Sequence, residues 1–427
     1  MTPDDNHPLR YALVNELHAR PFPALSVPGH AVYLAFKQPV GAHNRDRSAD
    51  RAHLLALLDR HGATPPPEGA THHAARIGRH DLKWESHTEF VTLSAFGRGL
   101  GARAFDPAEA EVFPADWLAM APGKVLVAAL IRIELLPDDL NEVTERITEW
   151  FVGESLACSS VLDEAGIIAG DFAIDPAGFM RFAVFVRPGI SERRVGRIVQ
   201  RLCEIETYRA MSMLGLDRAR QLGAKLNALD PQLSALVASM SDRSRDPEAT
   251  LHQLLNIASD LESLAVAHSF RFGATGAYEA LVNQRIAVLR ESRFQGRQTF
   301  GEFMMRRYDP AMRTVKSAER RLEQMAERAE RAGELLRTRV DVERQAQNQK
   351  LLESMDQRAD LALRLQHTVE GLSVVAISYY AVSLAGYLLL PLAERLHWSK
   401  SALTAALVPI VMGLVWLMVR RIRRSVH

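Results

Sequence analysis

Cysteine is nearly missing from this chain: Cys158 and Cys203 are the only two in 427 residues, far apart and in no Cys-x-x-Cys pair. That excludes a disulfide framework and fits a reducing compartment. Net charge is nearly missing as well. Fifty-two Lys+Arg stand against 51 Asp+Glu, a formal +1, so no basic excess favours nucleic acid as a partner. The start, MTPDDNHPLR, lacks a basic segment followed by an apolar run, so no secretory signal is expected there. Catalytic signatures are missing too. No GxxxxGK[ST], HExxH or GxSxG occurs, and no enzyme activity is expected. Gly97-Arg98-Gly99-Leu100-Gly101 has the wrong spacing for a dinucleotide loop and reads as a turn.

What is present is a globular composition, 24% charged and 47% apolar, over a length that suggests two or three structural units. The tail holds two long stretches without charge, Gly371 to Ala393 and Ser401 to Val419. A membrane span needs roughly 20 apolar residues, so these predict transmembrane helices over 371–392 and 401–419. The short turn between them, 393–400, makes them antiparallel neighbours. Pro409 is tolerable within such a helix, and Trp398 and Trp416 suit the two interfaces. Arg420, Arg421, Arg423 and Arg424 crowd the tail at 420–427, whereas the turn holds only Arg395 and Lys400 beside Glu394. The excess of positive charge predicts both termini on the cytoplasmic side of a plasma membrane. Ser373, Ala376, Tyr380, Ser383 and Tyr387 recur at spacings of three and four, one stripe of the first span. Hydroxyls at that depth should face protein or water. They line a path through an oligomer or pack against another helix. Glu394 and His397 lie at the outer turn.

Upstream, 299–370 reads as a long stalk helix restarted near Pro310. Val315, Ala318, Leu322, Met325, Ala329, Ala332, Leu336 and Val340 form an apolar stripe that returns at Leu351, Met355, Ala359 and Ala362. This is the seam of a coiled coil or bundle helix. Continued through the first span, a helix of about 80 residues would be on the order of 120 Å long. Residues 191–298 predict a helical pair, the first helix ended by Asp230-Pro231 and the second running from about Pro247 to Arg293. Residues 1–190 mix both patterns. Strands are expected at 30–36, 88–96, 125–135, 155–162, 167–174 and 178–186, with the last two joined as a hairpin by Asp175-Pro176-Ala177-Gly178. Helices are expected at 8–19, 46–62 and 138–153, and 63–73 as a loop. The fold class is therefore an α+β cytoplasmic domain, a helical stalk and a two-helix transmembrane hairpin.

Two groups of polar residues merit chemical attention. His72, His73, His80 and His87 lie close in sequence beside Asp81 and Glu85. They could hold a divalent cation, although their spacing matches no known local site. Asn15, Glu16, His18 and Arg20 fall within two turns of a predicted helix. The stretch NHPLRYALVNELHARPFP around them resembles an uncharacterised bacterial family of predicted membrane-anchored proteins, which implies no activity and no cofactor. The order of domain, stalk and hairpin is similar to the CorA magnesium-channel family. That resemblance implies a homo-oligomer, a pentamer, in the inner membrane, with the first span lining an ion pathway. The family's Gly-Met-Asn motif is missing: Ala385-Gly386-Tyr387-Leu388 stands in that region. The alternative is a membrane-anchored binding or scaffold protein without transport.

Overall fold

The structure is a computed structural model that describes residues 6–7, 9–11, 13–14, 21–39, 41, 45–242, 245–395 and 399–426. The chain divides into two compact units, one of residues 1–242 and 252–332, the other of 243–251 and 333–427.

The first unit is built on one nine-stranded sheet, in the order β2-β3-β4-β1-β5-β8-β7-β6-β9. The strands are β1 (Gly29–Lys37), β2 (His72–Ile77), β3 (His80–Ser86), β4 (Phe90–Arg98), β5 (Lys124–Leu135), β6 (Ala157–Val161), β7 (Gly166–Ile174), β8 (Met180–Val186) and β9 (Ser292–Arg293). Every pairing is antiparallel except β5 with β8. The expected hairpin across Asp175–Gly178 is β7–β8. Both sheet faces are buried, which explains the near-continuous apolar runs of β1, β4 and β8. On one face pack α1 (Arg47–Arg60), the short α2 (Ala115–Ala119) and α3 (Leu140–Trp150) around Trp117, Leu54 and Ile147. Asp46 and Asp139 cap α1 and α3 by accepting from Ser48 N and Asn141 N. On the other face lie α4 (Glu192–Ser239), α5 (Pro247–Ala287), α6 (Phe300–Arg307) and the first part of α7 (Asp309–Arg395), which share one apolar core with the sheet.

Four differences from expectation have physical causes. The region 72–86 forms a hairpin, β2–β3, where 63–73 reads as loop. Leu82 and Trp84 point into the core on the α1 side and alternate with Asp81, Lys83 and Glu85 on the opposite face, a period of two. Gly78, at φ +56, is the first of two turn residues between paired Ile77 and His80, where a type II′ turn needs glycine. Gly97, read as part of a turn, sits inside β4, where a Cβ would stand 2.2 Å from the His30 ring. Helix α4 does not end at Pro231 but runs through it to Ser239. Leu222, Leu226, Leu233 and Leu236, on both sides of the proline, are buried and outweigh its cost of about 3 kcal/mol. Helix α5 stops at Ala287, short of the expected Arg293. Residues 292–293 instead pair with β6 as β9, and the Glu291 carboxylate accepts from Ser159 Oγ (2.6 Å), Phe300 N (3.1 Å) and Gly301 N (2.9 Å).

The apolar stripe of α7 has two fates. Val315, Leu322, Met325, Ala329 and Ala332 are buried in the chain's own core. Arg321 reaches Asn227 and Asp230 of α4, and Lys316 reaches Glu279 of α5. This half is the seam of an intrachain bundle. In the second unit Leu336 is still buried, and where the stripe returns beyond it Leu351 and Met355 are exposed. That unit holds the rest of α7 and α8 (Lys400–Val426), both long and apolar enough to cross a membrane.

Candidate functional site

The sheet face beneath α4 is polar where β1, β3 and β4 meet, and a cavity of about 350 Å³ opens there. Strand register builds its floor. Lys83 stands opposite Ser94, Glu85 opposite Thr92, and Ser94 also opposite Tyr33, so period two turns all five to one side. Helix α4 supplies the roof with Gln200, Cys203, Glu204 and Thr207, one side of successive turns, and α5 adds Arg285. Phe90, Phe96 and Tyr208 make the apolar wall.

The charged groups form one connected chain. Lys83 Nζ lies 3.2 Å from Glu85 Oε1 and donates to Gln200 Oε1 at 3.0 Å. Gln200 Nε2 donates to Glu204 Oε1 at 2.8 Å, and the other Glu204 oxygen accepts from Arg285 Nε. These side chains keep 12–27% exposure, so water screens them only partly. Tyr33 shares a hydrogen bond of 2.7 Å with Thr207, and burial holds its phenol well above its ordinary value. Burial likewise pushes the Cys203 thiol up, which removes it as a nucleophile at neutral pH. Two cations and two carboxylates at fixed positions, with hydroxyls and aromatic faces beside them, can hold a small zwitterionic or polar molecule. The volume is that of a small-ligand pocket.

Behind the aromatic wall lies a buried ion cluster. Glu89, 2% exposed, meets Lys37 at 3.4 Å, the Arg271 guanidinium, and the Tyr278 hydroxyl at 3.1 Å. Burial draws Lys37 down against the pull of Glu89, and raises Tyr278. Phe90 joins this cluster to the cavity, with Tyr208 and Tyr278 rings at 6.5 and 6.3 Å.

The residues singled out in the sequence go elsewhere. His72 and His73 lie on β2, His73 facing the Thr64 carbonyl at 2.9 Å. His80 is buried against the His30 ring, 5.7 Å between centroids, and His87 stacks on Phe90 at 4.4 Å. Only His87 lines the cavity. Among the described residues no three His, Cys, Asp or Glu side chains converge on a metal position. Asn15, Glu16, His18, Arg20 and His397 lie outside the described residues, and Glu394 falls in the last turn of α7.

In the second unit α7 and α8 enclose a groove of about 560 Å³, lined by Val374, Ser378, Val382, Gly386 and Leu390 of α7 and by Leu403, Val408 and Met412 of α8. Ser383 and Tyr387 reach its edge, whereas Ser373, Ala376 and Tyr380 do not line it. At 100° per residue the hydroxyl stripe is centred about a third of a turn from the face that packs on α8.

Glu85 was noted only beside the histidines, and Lys83, Gln200, Glu204 and Arg285 were not marked by any sequence motif. The one available signal was the run of alternating charges, Asp81, Lys83 and Glu85, within an apolar strand pattern. With this geometry in view, the family model described as "Protein of unknown function" matches residues 5–426. No protein of curated function matches the chain.

Proposed function

The chain belongs to the DUF3422 family of proteins of unknown function, and from the geometry we propose that it is a membrane-anchored binding protein. Helices α7 and α8 hold it in a bacterial plasma membrane as a hairpin, and the sheet domain takes a small zwitterionic ligand on the cytoplasmic side. The observation that carries the reading is the linked set Glu85–Lys83–Gln200–Glu204–Arg285 around one cavity. Unlike the dry Glu89 cluster, this set borders an open cavity, and ion pairs of this kind offer little net stability to the fold. The orientation rests on the arginines from Arg420 onward, and neither a metal nor a catalytic step enters it. The full chain in detergent tests it: extract the purified protein and compare released small molecules by mass spectrometry with those from Thr207→Trp, which fills the cavity. A species retained by the wild type and lost in the variant is expected. Identical extracts contradict the reading.

A second reading, a cation path of CorA-like architecture in a homo-oligomer, is favoured by one observation. Ser373, Ala376 and Tyr380 are turned away from the groove shared with α8, so their face is free to meet other subunits. Cation flux in proteoliposomes that is abolished by Tyr380→Phe would establish this reading against the first.

A further inference from the structure

Four arginines surround a second cavity of about 690 Å³ in the sheet unit: Arg194, Arg197 and Arg201 of α4, and Arg290 beyond the end of α5, with Ser191 at the rim. Spacings of three and four put the three α4 guanidiniums on one side of that helix. Two of them are fixed without being neutralised. Arg194 donates to the Leu162 carbonyl at 2.8 Å and Arg201 to the Val288 carbonyl at 3.1 Å. Among the described residues no carboxylate lies within ion-pair distance of Arg194, Arg197 or Arg201. The acids nearby are already engaged: Glu204 with Arg285, Glu164 with Arg187 at 2.8 Å, and Asp163 with Arg290 at 2.7 Å. Burial and the adjoining Arg197 both weaken Arg201's hold on its proton, a sign of like charges held together.

The backbone around the cavity is unusual as well. Leu162, Asp163 and Glu164 are three successive non-glycine residues at φ 53, 59 and 63, and Arg290 has φ 50. Left-handed conformations are disfavoured for residues with a Cβ. The Leu162 N–H to Leu289 carbonyl bond, 2.8 Å, holds this turn against the segment carrying Arg290. Strain of this kind is retained where it positions a functional group.

We propose that this cavity is a binding site for an anion carrying more than one phosphate charge. A phosphate monoester brings about −1.5 to −2, and three guanidiniums without carboxylates suit an anion with at least that charge. Planar guanidinium forks suit phosphate oxygens, and carbonyl-tethered forks lose little freedom on binding. The source is either a free diphosphate or the head group of an anionic phospholipid. The inference does not rest on the cavity proposed above for a zwitterion, although Arg201 lines both.

The test uses the full chain in phosphatidylcholine nanodiscs, titrated calorimetrically with inorganic pyrophosphate and, separately, with dihexanoyl-phosphatidate below its micelle concentration. Expected is binding of at least one probe that weakens as salt rises and falls at least tenfold in Arg197→Ala. Arg197 is exposed, so this variant should fold. Arg193→Ala, an exposed neighbour outside the cavity, should bind within about twofold of the wild type. Pyrophosphate binding assigns the site to a soluble ligand, and phosphatidate binding alone assigns it to a lipid head group. The proposal is overturned if neither probe binds, or if Arg193→Ala and Arg197→Ala lose affinity equally. Thr207→Trp should leave this binding intact, which separates failure here from failure of the zwitterion cavity.

Discussion

Glu89 shows why single residues matter in this fold. Its carboxylate, 2% exposed, meets two cations at depth, Lys37 and Arg271. Glu89→Ala would leave both without their partner and should cost about 3–5 kcal/mol, read as a lower midpoint in chemical denaturation. An unchanged midpoint would show that water or another group replaces it. His80 offers a pH test. Burial, then His30 and Arg79, lower its value from 6.5 to about 4. The fold therefore favours the neutral ring: its contribution is complete above about pH 6.5 and is lost as pH falls through about 4. Between those values stability should rise with pH, and His80→Gln should flatten that slope; parallel slopes for both proteins would contradict the assignment. Little of this was legible beforehand. Asp81 and Glu85 drew notice only beside the histidines, as partners of a cation, because nothing local says that α4, more than a hundred residues later, will cover Lys83 and Glu85.

Elements were more legible than sites. The strands β1, β4, β5, β7 and β8 carry predominantly apolar runs, and such patterns depend on local chemistry. The β2–β3 hairpin was missed because only Leu82 and Trp84 mark its apolar face, while Asp81, Lys83 and Glu85 on the opposite face are charged. Helix α4 shows the limit of local rules, since Pro231 ends a helix only where packing does not continue across it. Helix α7 separates what a pattern contains from what it lacks. Period three-and-four marks an apolar stripe from Val315 to Ala362, but the period does not name the partner. The first half meets α4 and α5, and the second is uncovered. Leu322→Ala should therefore cost about 2–5 kcal/mol, whereas Leu351→Ala should stay within about 0.5 kcal/mol. Thermal unfolding followed by circular dichroism compares them directly. An equal loss in both would mean that the distal stripe is also a buried seam.

At the scale of the whole molecule the chain carries a sheet unit and, in the second unit, two helices long and apolar enough to cross a membrane. The tail was legible as two long apolar helices, since an uncharged run of span length marks itself in the sequence. A chain ending at residue 370 should leave the membrane fraction in alkaline carbonate, while the full chain stays. Release of both would remove the anchor.

Insertion and orientation together are best tested by thiol labelling. Cys158 and Cys203 are buried, at 0% and 5% exposure, and burial raises both thiols, so the native chain is close to silent toward maleimides. Single cysteines at Ser399→Cys, between α7 and α8, and at Ser241→Cys, just beyond α4, would be treated with a membrane-impermeant maleimide on intact spheroplasts. Labelling of Ser399→Cys before lysis and of Ser241→Cys only after lysis is the predicted result. Labelling of Ser241→Cys on intact spheroplasts, or of Ser399→Cys only after lysis, would contradict the membrane hairpin on which the account stands.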